Sequence, residues 1–214
     1  MSKRAEPRCR LCLVTPPVVD PATFPAQLAE ALASGDVATL FIDLSGSPAS
    51  RQRIAEILVP VAQAAGVAAL VVNDTRLLGR TGADGIHIDT GPADLAAALD
   101  RFREKHIVGA GGIRSRHDAM EMGQREPDYL FFGRLDGDTG DAIFPKALDL
   151  AAWWCSLFEI PAVVMGGRSL ASVAEAAEAG IEFVALRQAV WEHPAGPPAA
   201  IAEANRLLAG TVPA

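Results

Sequence analysis

Eight short runs of β-forming residues alternate with stretches of helical apolar spacing along the whole chain. The strand-like runs cover residues 10–15, 37–43, 68–72, 85–88, 107–110, 129–133, 162–166 and 183–186. Helix-like stretches follow at 24–34, 51–65, 75–80, 92–105, 116–125, 145–158, 169–179 and 198–208. A strand that must pass through a helix before the next strand returns parallel to it, and eight such strands are the number that closes a barrel. The expected fold is therefore α/β, one (β/α)8 TIM barrel over residues 1–214, with an open doubly wound sheet as the runner-up. The chain is short for such a barrel, so several helices must be brief.

A weak internal repeat points the same way. Helix-like stretches end at or near glycine and a strand follows at once, as in Ser34-Gly35-Asp36-Val37, Ala65-Gly66-Val67, Thr81-Gly82-Ala83-Asp84 and Ala179-Gly180-Ile181-Glu182. Glycine after a helix accepts the left-handed conformation that stops it.

Composition narrows the function. Half of the 214 residues are apolar, enough for a large core, and the net charge is −7. Without a basic surplus to neutralise phosphates, no nucleic-acid partner is expected. Backbone amides and helix ends still allow a small phosphorylated ligand. The basic opening at residues 1–8 is not followed by an apolar stretch of signal-peptide length, and no segment approaches the roughly 20 apolar residues of a membrane span. A soluble, cytoplasmic protein without a membrane partner is expected. Oligomeric state is not readable, although Trp153, Trp154 and Phe158 are expected to face the core.

Cys9 and Cys12 form a C-x-x-C, with Cys155 the one other thiol. The pair falls on an extended segment, where residues three apart point to opposite faces, so a strand is the reading rather than a redox or zinc motif.

In a barrel of this kind reactive groups occupy the loops after each strand. Strand 3 is followed by Asn73 and Asp74, an amide and a carboxylate at the rim. Asp74 suits Mg2+, which takes one or two carboxylates plus phosphate oxygens, and equally suits a helix N-cap. His87 lies in strand 4 and by alternation shares a face with Gly85 and Asp89. It reads as a hydrogen-bonded core or rim histidine, or as a base. Asp136, Asp138 and Asp141 after strand 6 read as a solvated acidic loop, the other reading being a hard-cation site. After strands 7 and 8, Gly166, Gly167, Arg187 and Gln188 are expected to form a phosphate corner, where paired glycines let backbone amides approach an anion.

The segments Cys12-Leu13-Val14-Thr15, Val71-Val72-Asn73-Asp74, Ala83-Asp84-Gly85-Ile86-His87-Ile88, Asp128-Tyr129-Leu130-Phe131-Phe132-Gly133 and Val163-Val164-Met165-Gly166-Gly167 resemble, in order, those of thiamine-phosphate synthases and their thiazole tautomerase relatives. That resemblance implies coupling of an aminopyrimidine methyl pyrophosphate to a thiazole phosphate with release of pyrophosphate, and a possible Mg2+ cofactor. It implies that Asn73 and Asp74 serve the pyrophosphate and metal, with Asp89 or Asp94 as a second carboxylate. Gly166, Gly167 and the backbone near Arg187 would hold the thiazole phosphate.

The chain departs from that family in three places. Strand 2 runs Leu40-Phe41-Ile42-Asp43-Leu44-Ser45 without the family's cations, the loop after strand 6 is acidic with Lys146 as its nearby lysine, and Arg114 replaces the tautomerase histidine. The competing expectation is a non-catalytic barrel that binds a phosphate ester as a sensor or partner protein. A Schiff-base aldolase is disfavoured, because strand 6 ends Phe131-Phe132-Gly133 without a lysine.

Overall fold

The computed structural model describes residues 9–210; the basic opening segment lies outside the described residues. Eight parallel strands pair in chain order: β1 (Arg10–Val14), β2 (Thr39–Ile42), β3 (Ala68–Val72), β4 (Gly85–Ile88), β5 (Ile107–Ile113), β6 (Tyr129–Phe132), β7 (Ala162–Met165) and β8 (Phe183–Leu186). β8 returns to pair with β1, which closes the barrel. The expected (β/α)8 architecture is the observed one.

The helices are α1 (Phe24–Leu32), α2 (Pro48–Ala64), α3 (Thr75–Thr81), α4 (Pro92–Phe102), α5 (Arg116–Gly123), α6 (Pro145–Cys155), α7 (Ser172–Glu178), α8 (Gln188–Trp191) and α9 (Pro197–Gly210). Several are brief, as chain length requires. α2 starts three residues before the expected Arg51 because Ser47 caps it, accepting from the Ser50 amide, and Pro48 takes the first helical position. α7 starts later than expected because Ser169 is spent on a turn, its Oγ accepting from the Ala171 amide at 3.2 Å. The four-residue α8 carries no periodicity long enough to be read from sequence. β5 runs three residues past the expected end, with a register shift against β6 between Ala110 and Ile113.

Strand alternation builds two cores. Outward side chains such as Leu11, Leu13, Leu40 and Ile42 pack under the helices, while Cys12, Val14, Phe41, Leu70, Tyr129, Phe131 and Val163 fill the barrel. Cys9 belongs to the outer core and Cys12 to the inner one, so the C-x-x-C is split between faces as alternation predicts. Burial pushes both thiols up to about 12, and neither is in a disulfide. Trp154 is buried and stacks on Phe158 with centroids 4.0 Å apart.

Two glycines make room for the rings inside. A Cβ at Gly109 would lie 1.8 Å from Tyr129 Cζ, and one at Gly111 would lie 2.6 Å from His87 Nε2. A larger residue at either position would expel a ring from the barrel.

Candidate active site at the barrel mouth

Asn73 ends β3 in a left-handed conformation, φ 58°, which asparagine tolerates better than most residues. That turn aims its amide along the rim at Asp89. Asn73 Nδ2 donates to Asp89 Oδ1 at 2.7 Å, and the Asp89 amide donates to Asn73 Oδ1 at 3.0 Å. The loops after β3 and β4 are thereby locked together, with one Asp89 oxygen fixed by the amide.

Asp74 is the N-cap of α3, one oxygen accepting from the amides of Arg76 and Leu77 at 3.1 Å. Its other oxygen faces Arg51 at 3.4 Å. Of the two carboxylates expected to serve a metal, Asp74 is therefore engaged by a helix and a guanidinium, while Asp89 faces the mouth. Asp43, at the end of β2, stands near Asp89. Burial first, and then the charge of Asp89, raise its carboxyl above the usual carboxylate value. Among the described residues no group of three or more His, Cys, Asp or Glu side chains is placed to hold a metal.

His87 is 1 % exposed and lies inside the barrel. Its Nδ1 shares a hydrogen bond of 2.9 Å with the Tyr129 hydroxyl, and its ring stacks on that of Tyr129 at 8° with centroids 5.9 Å apart. Phe41 and Phe131 meet it edge-on. Desolvation lowers its pKa to about 4. A neutral imidazole wrapped in aromatic rings supports the floor of the site.

At the carboxyl ends of β4 to β7 lies a cleft of about 760 Å³, lined by Asp89, Arg114, Arg134, Asp136, Phe144 and Lys146 among others. Arg134 is held by Asp136 through two hydrogen bonds of 2.8 and 2.7 Å. No ion pair is formed by Arg114 or Lys146 among the described residues, and both line the cleft. Two free cations beside a carboxylate can neutralise an anionic ligand while a divalent ion is held next to it.

The corner after β7 and β8 is filled from within. Asp138, expected on a solvated loop, has a fully buried side chain. It accepts from Arg187 through both Nη2 and Nε, and from the Gln188 amide at 2.9 Å. The Arg168 amide donates to Gly140 O at 2.8 Å and the Ser169 amide to Asp141 O at 3.2 Å. A Cβ on Gly167 would lie 2.1 Å from Asp141 O. The four expected residues Gly166, Gly167, Arg187 and Gln188 are thus brought together, with the loop after β6 laid across them.

Sequence reasoning did not find Arg51, Asp43 or the role of Asp138. Arg51 supplies a cation at the rim from the first turn of α2, beyond the strand-2 register where cations were sought. The signal available for it was its position ten residues after Phe41, and only the α2 start at Pro48 makes that spacing meaningful.

The thiamine monophosphate synthase family model matches residues 11–190. The thiamine-phosphate synthase of Rhodospirillum centenum is 36% identical over 204 residues, spanning 94% of this chain and 99% of that protein. The thiamine-phosphate synthase of Hyphomonas neptunium is 36% identical over 211 residues, spanning 94% and 95%. Among solved structures, a thiamine phosphate pyrophosphorylase from Pyrococcus furiosus superposes with a TM-score of 0.75 at 19% identity, covering 95% of this chain and 97% of that one.

Proposed function

The chain belongs to the thiamine monophosphate synthase family, and on that premise we propose that it is a synthase-type transferase. It joins an aminopyrimidine methyl pyrophosphate to a thiazole phosphate and releases pyrophosphate. The bond from the pyrimidine methylene carbon to the pyrophosphate oxygen breaks, the electron pair leaving with pyrophosphate, and the thiazole nitrogen captures the resulting pyrimidine methyl cation.

The observation that supports this reading is the cleft at the carboxyl ends of β4 to β7, where Arg114 and Lys146 stand free beside Asp89. A departing pyrophosphate gathers negative charge on its bridging oxygen. Preoriented cations in a partly enclosed site stabilise that charge more than water does, without reorganising at the moment of reaction. Arg51 adds a third cation across the rim. Asn73 positions Asp89 by the paired hydrogen bonds between them.

Mg2+ fits this donor set through Asp89, with Asp43 facing it. Burial does most to raise the Asp43 pKa, and the neighbouring charge of Asp89 adds a smaller repulsion that a divalent ion would relieve. When bound, such an ion neutralises the leaving group. His87, buried against Tyr129, is assigned to holding the floor rather than to proton transfer.

The test is turnover. Purified protein with Mg2+ and both precursors should release pyrophosphate and form thiamine phosphate in equal amounts. Absence of product above background would remove the enzyme reading. It would favour the second one, a phosphate-ester-binding barrel without catalysis. A soluble setting is consistent with the absence, among the described residues, of any helix long and apolar enough to cross a membrane.

A further inference from the structure

We infer that the Nε2–H of His87 is a hydrogen-bond donor at the floor of the cleft that receives a ring nitrogen of the aminopyrimidine, with Tyr129 fixing which nitrogen of the imidazole carries the proton. The inference deepens the proposed function. It rests on that reading for the identity of the ligand, and on geometry for the donor and its direction.

Of the two ring nitrogens of His87, one is used inside the protein. Nδ1 shares its 2.9 Å hydrogen bond with the Tyr129 hydroxyl, and that hydroxyl has no second partner among the described residues. Nε2 has none at all among them. Arg51 Nε is the one fully buried side-chain nitrogen or oxygen left unmatched among the described residues, so the 1 % of His87 that stays exposed includes Nε2.

The place of the proton follows. Packed against Phe41, Tyr129 and Phe131 with no carboxylate paired to it, the imidazole is neutral and carries one N–H. Were that proton on Nδ1, the buried Tyr129 hydroxyl would accept it and leave its own proton unmatched, the more costly arrangement. The hydroxyl therefore donates to Nδ1, and the N–H lies on Nε2.

Gly111 leaves that N–H uncovered. A Cβ there would lie 2.6 Å from His87 Nε2 and 3.2 Å from Asp89 Cβ. Gly111 is not one of the glycines with positive φ, so its backbone does not require glycine, and the missing side chain serves to keep Nε2 clear. The next residue, Gly112, lines the cleft together with Asp89, which puts Nε2 at the inner edge of the cleft.

The acceptor this donor suits is uncharged. Arg114 and Lys146 stand on the cleft wall and match a charged group, whereas Nε2 emerges from a bed of aromatic rings. A flat heteroaromatic ring packs on such a bed and offers an sp² nitrogen to a neutral donor. A ring without that acceptor would leave the donor unmatched, so the contact also selects the substrate.

The experiment measures calorimetric affinity, with Mg2+ present, for the aminopyrimidine methyl pyrophosphate and for inorganic pyrophosphate in wild type, His87→Met and His87→Gln. His87→Met is expected to weaken the pyrimidine ligand about three- to tenfold, the size of one hydrogen bond between neutral groups, and to leave inorganic pyrophosphate unchanged. His87→Gln, whose amide nitrogen reaches the Nε2 position, should recover most of the loss. Equal weakening of both ligands in His87→Met makes the residue merely structural and overturns the inference, as does wild-type affinity in that variant.

Should the variants not fold, the ¹⁵N spectrum of the wild-type imidazole decides. Nε2 should be the protonated nitrogen, and its signal should move with the pyrimidine ligand and stay still with inorganic pyrophosphate. A proton on Nδ1, or a still Nε2 signal when the pyrimidine ligand binds, overturns the inference and leaves the proposed reaction standing. Movement with inorganic pyrophosphate makes the acceptor a phosphate oxygen and overturns the assignment to the ring. Failure of both ligands to bind sinks the proposed reaction along with the inference, whereas binding with the expected shift but no turnover sinks the reaction alone.

Discussion

Asp138 and Arg187 meet as a buried ion pair across 49 residues of chain, the carboxylate fully buried and the guanidinium side chain only 11 % exposed. The pair ties the loop after β6 to the end of β8. Removing one partner of such a pair leaves the other charge uncompensated, which costs about 3–5 kcal/mol. Asp138→Ala is therefore expected to lower unfolding free energy by that order in urea titrations. A loss within experimental error would show that the pair is solvated in solution.

Stability should depend on pH through His87. Its pKa falls from 6.5 to about 4 on burial, so the unfolded chain binds a proton that the folded one refuses. Stability then rises with pH between about 4 and 6.5, is fully present above 6.5, and falls as the pH drops through that window. The contribution is about 3 kcal/mol. Without added metal, His87→Gln should flatten the slope of unfolding free energy in that window, and an unchanged slope would assign it to other groups.

Lys146 and Arg114 are expected to act on the reaction and not on the fold, since both are exposed at the cleft. Losing one donor to developing charge costs about 2.7–4 kcal/mol of transition-state stabilisation. Lys146→Met should lower kcat by about two to three decades with an unchanged thermal midpoint. Turnover within twofold of wild type would move the leaving group elsewhere.

Asn73 combines a turn with an orienting amide, and two substitutions separate these. Asn73→Gly keeps the left-handed conformation at φ 58° and loses both hydrogen bonds to Asp89. Asn73→Ala loses the bonds and adds backbone strain of about 1–3 kcal/mol. Both should lose activity, with Asn73→Ala the less stable of the two by chemical denaturation. Equal stabilities would mean that the turn is not strained.

Asp74 is tested by Asp74→Asn, which keeps a capping oxygen for the Arg76 and Leu77 amides and removes the charge. If Asp74 only caps α3 and meets Arg51, activity should stay within a few-fold of wild type and its Mg2+ dependence should be unchanged. A shifted Mg2+ requirement would make it a metal carboxylate.

The barrel was legible because its signal is repeated eight times and each instance is local. Alternating side chains, glycine stops and helical spacing need no knowledge of distant contacts, which is also why the split of Cys9 and Cys12 between two cores could be foreseen. The rim residues Asn73, Asp74 and Asp89 were placed by the rule that loops after parallel strands carry the chemistry. Element ends were less legible: the Ser47 cap lengthened α2, and the four residues of α8 hold too little periodicity to detect.

What the amino-acid order determined by itself was therefore the closed parallel barrel, the face on which chemistry could sit, and family membership through motifs that lie on the strands. Tertiary structure alone decided which charges meet. Asp138 reads as one of three solvated aspartates until the end of β8 delivers Arg187 to it, and Arg51 is only the first residue of a helix-like stretch until α2 brings it to Asp74. Local pattern encodes which way a side chain points. The partner of a charge is set by closure of the barrel, which brings together loops that have no spacing relationship in the chain.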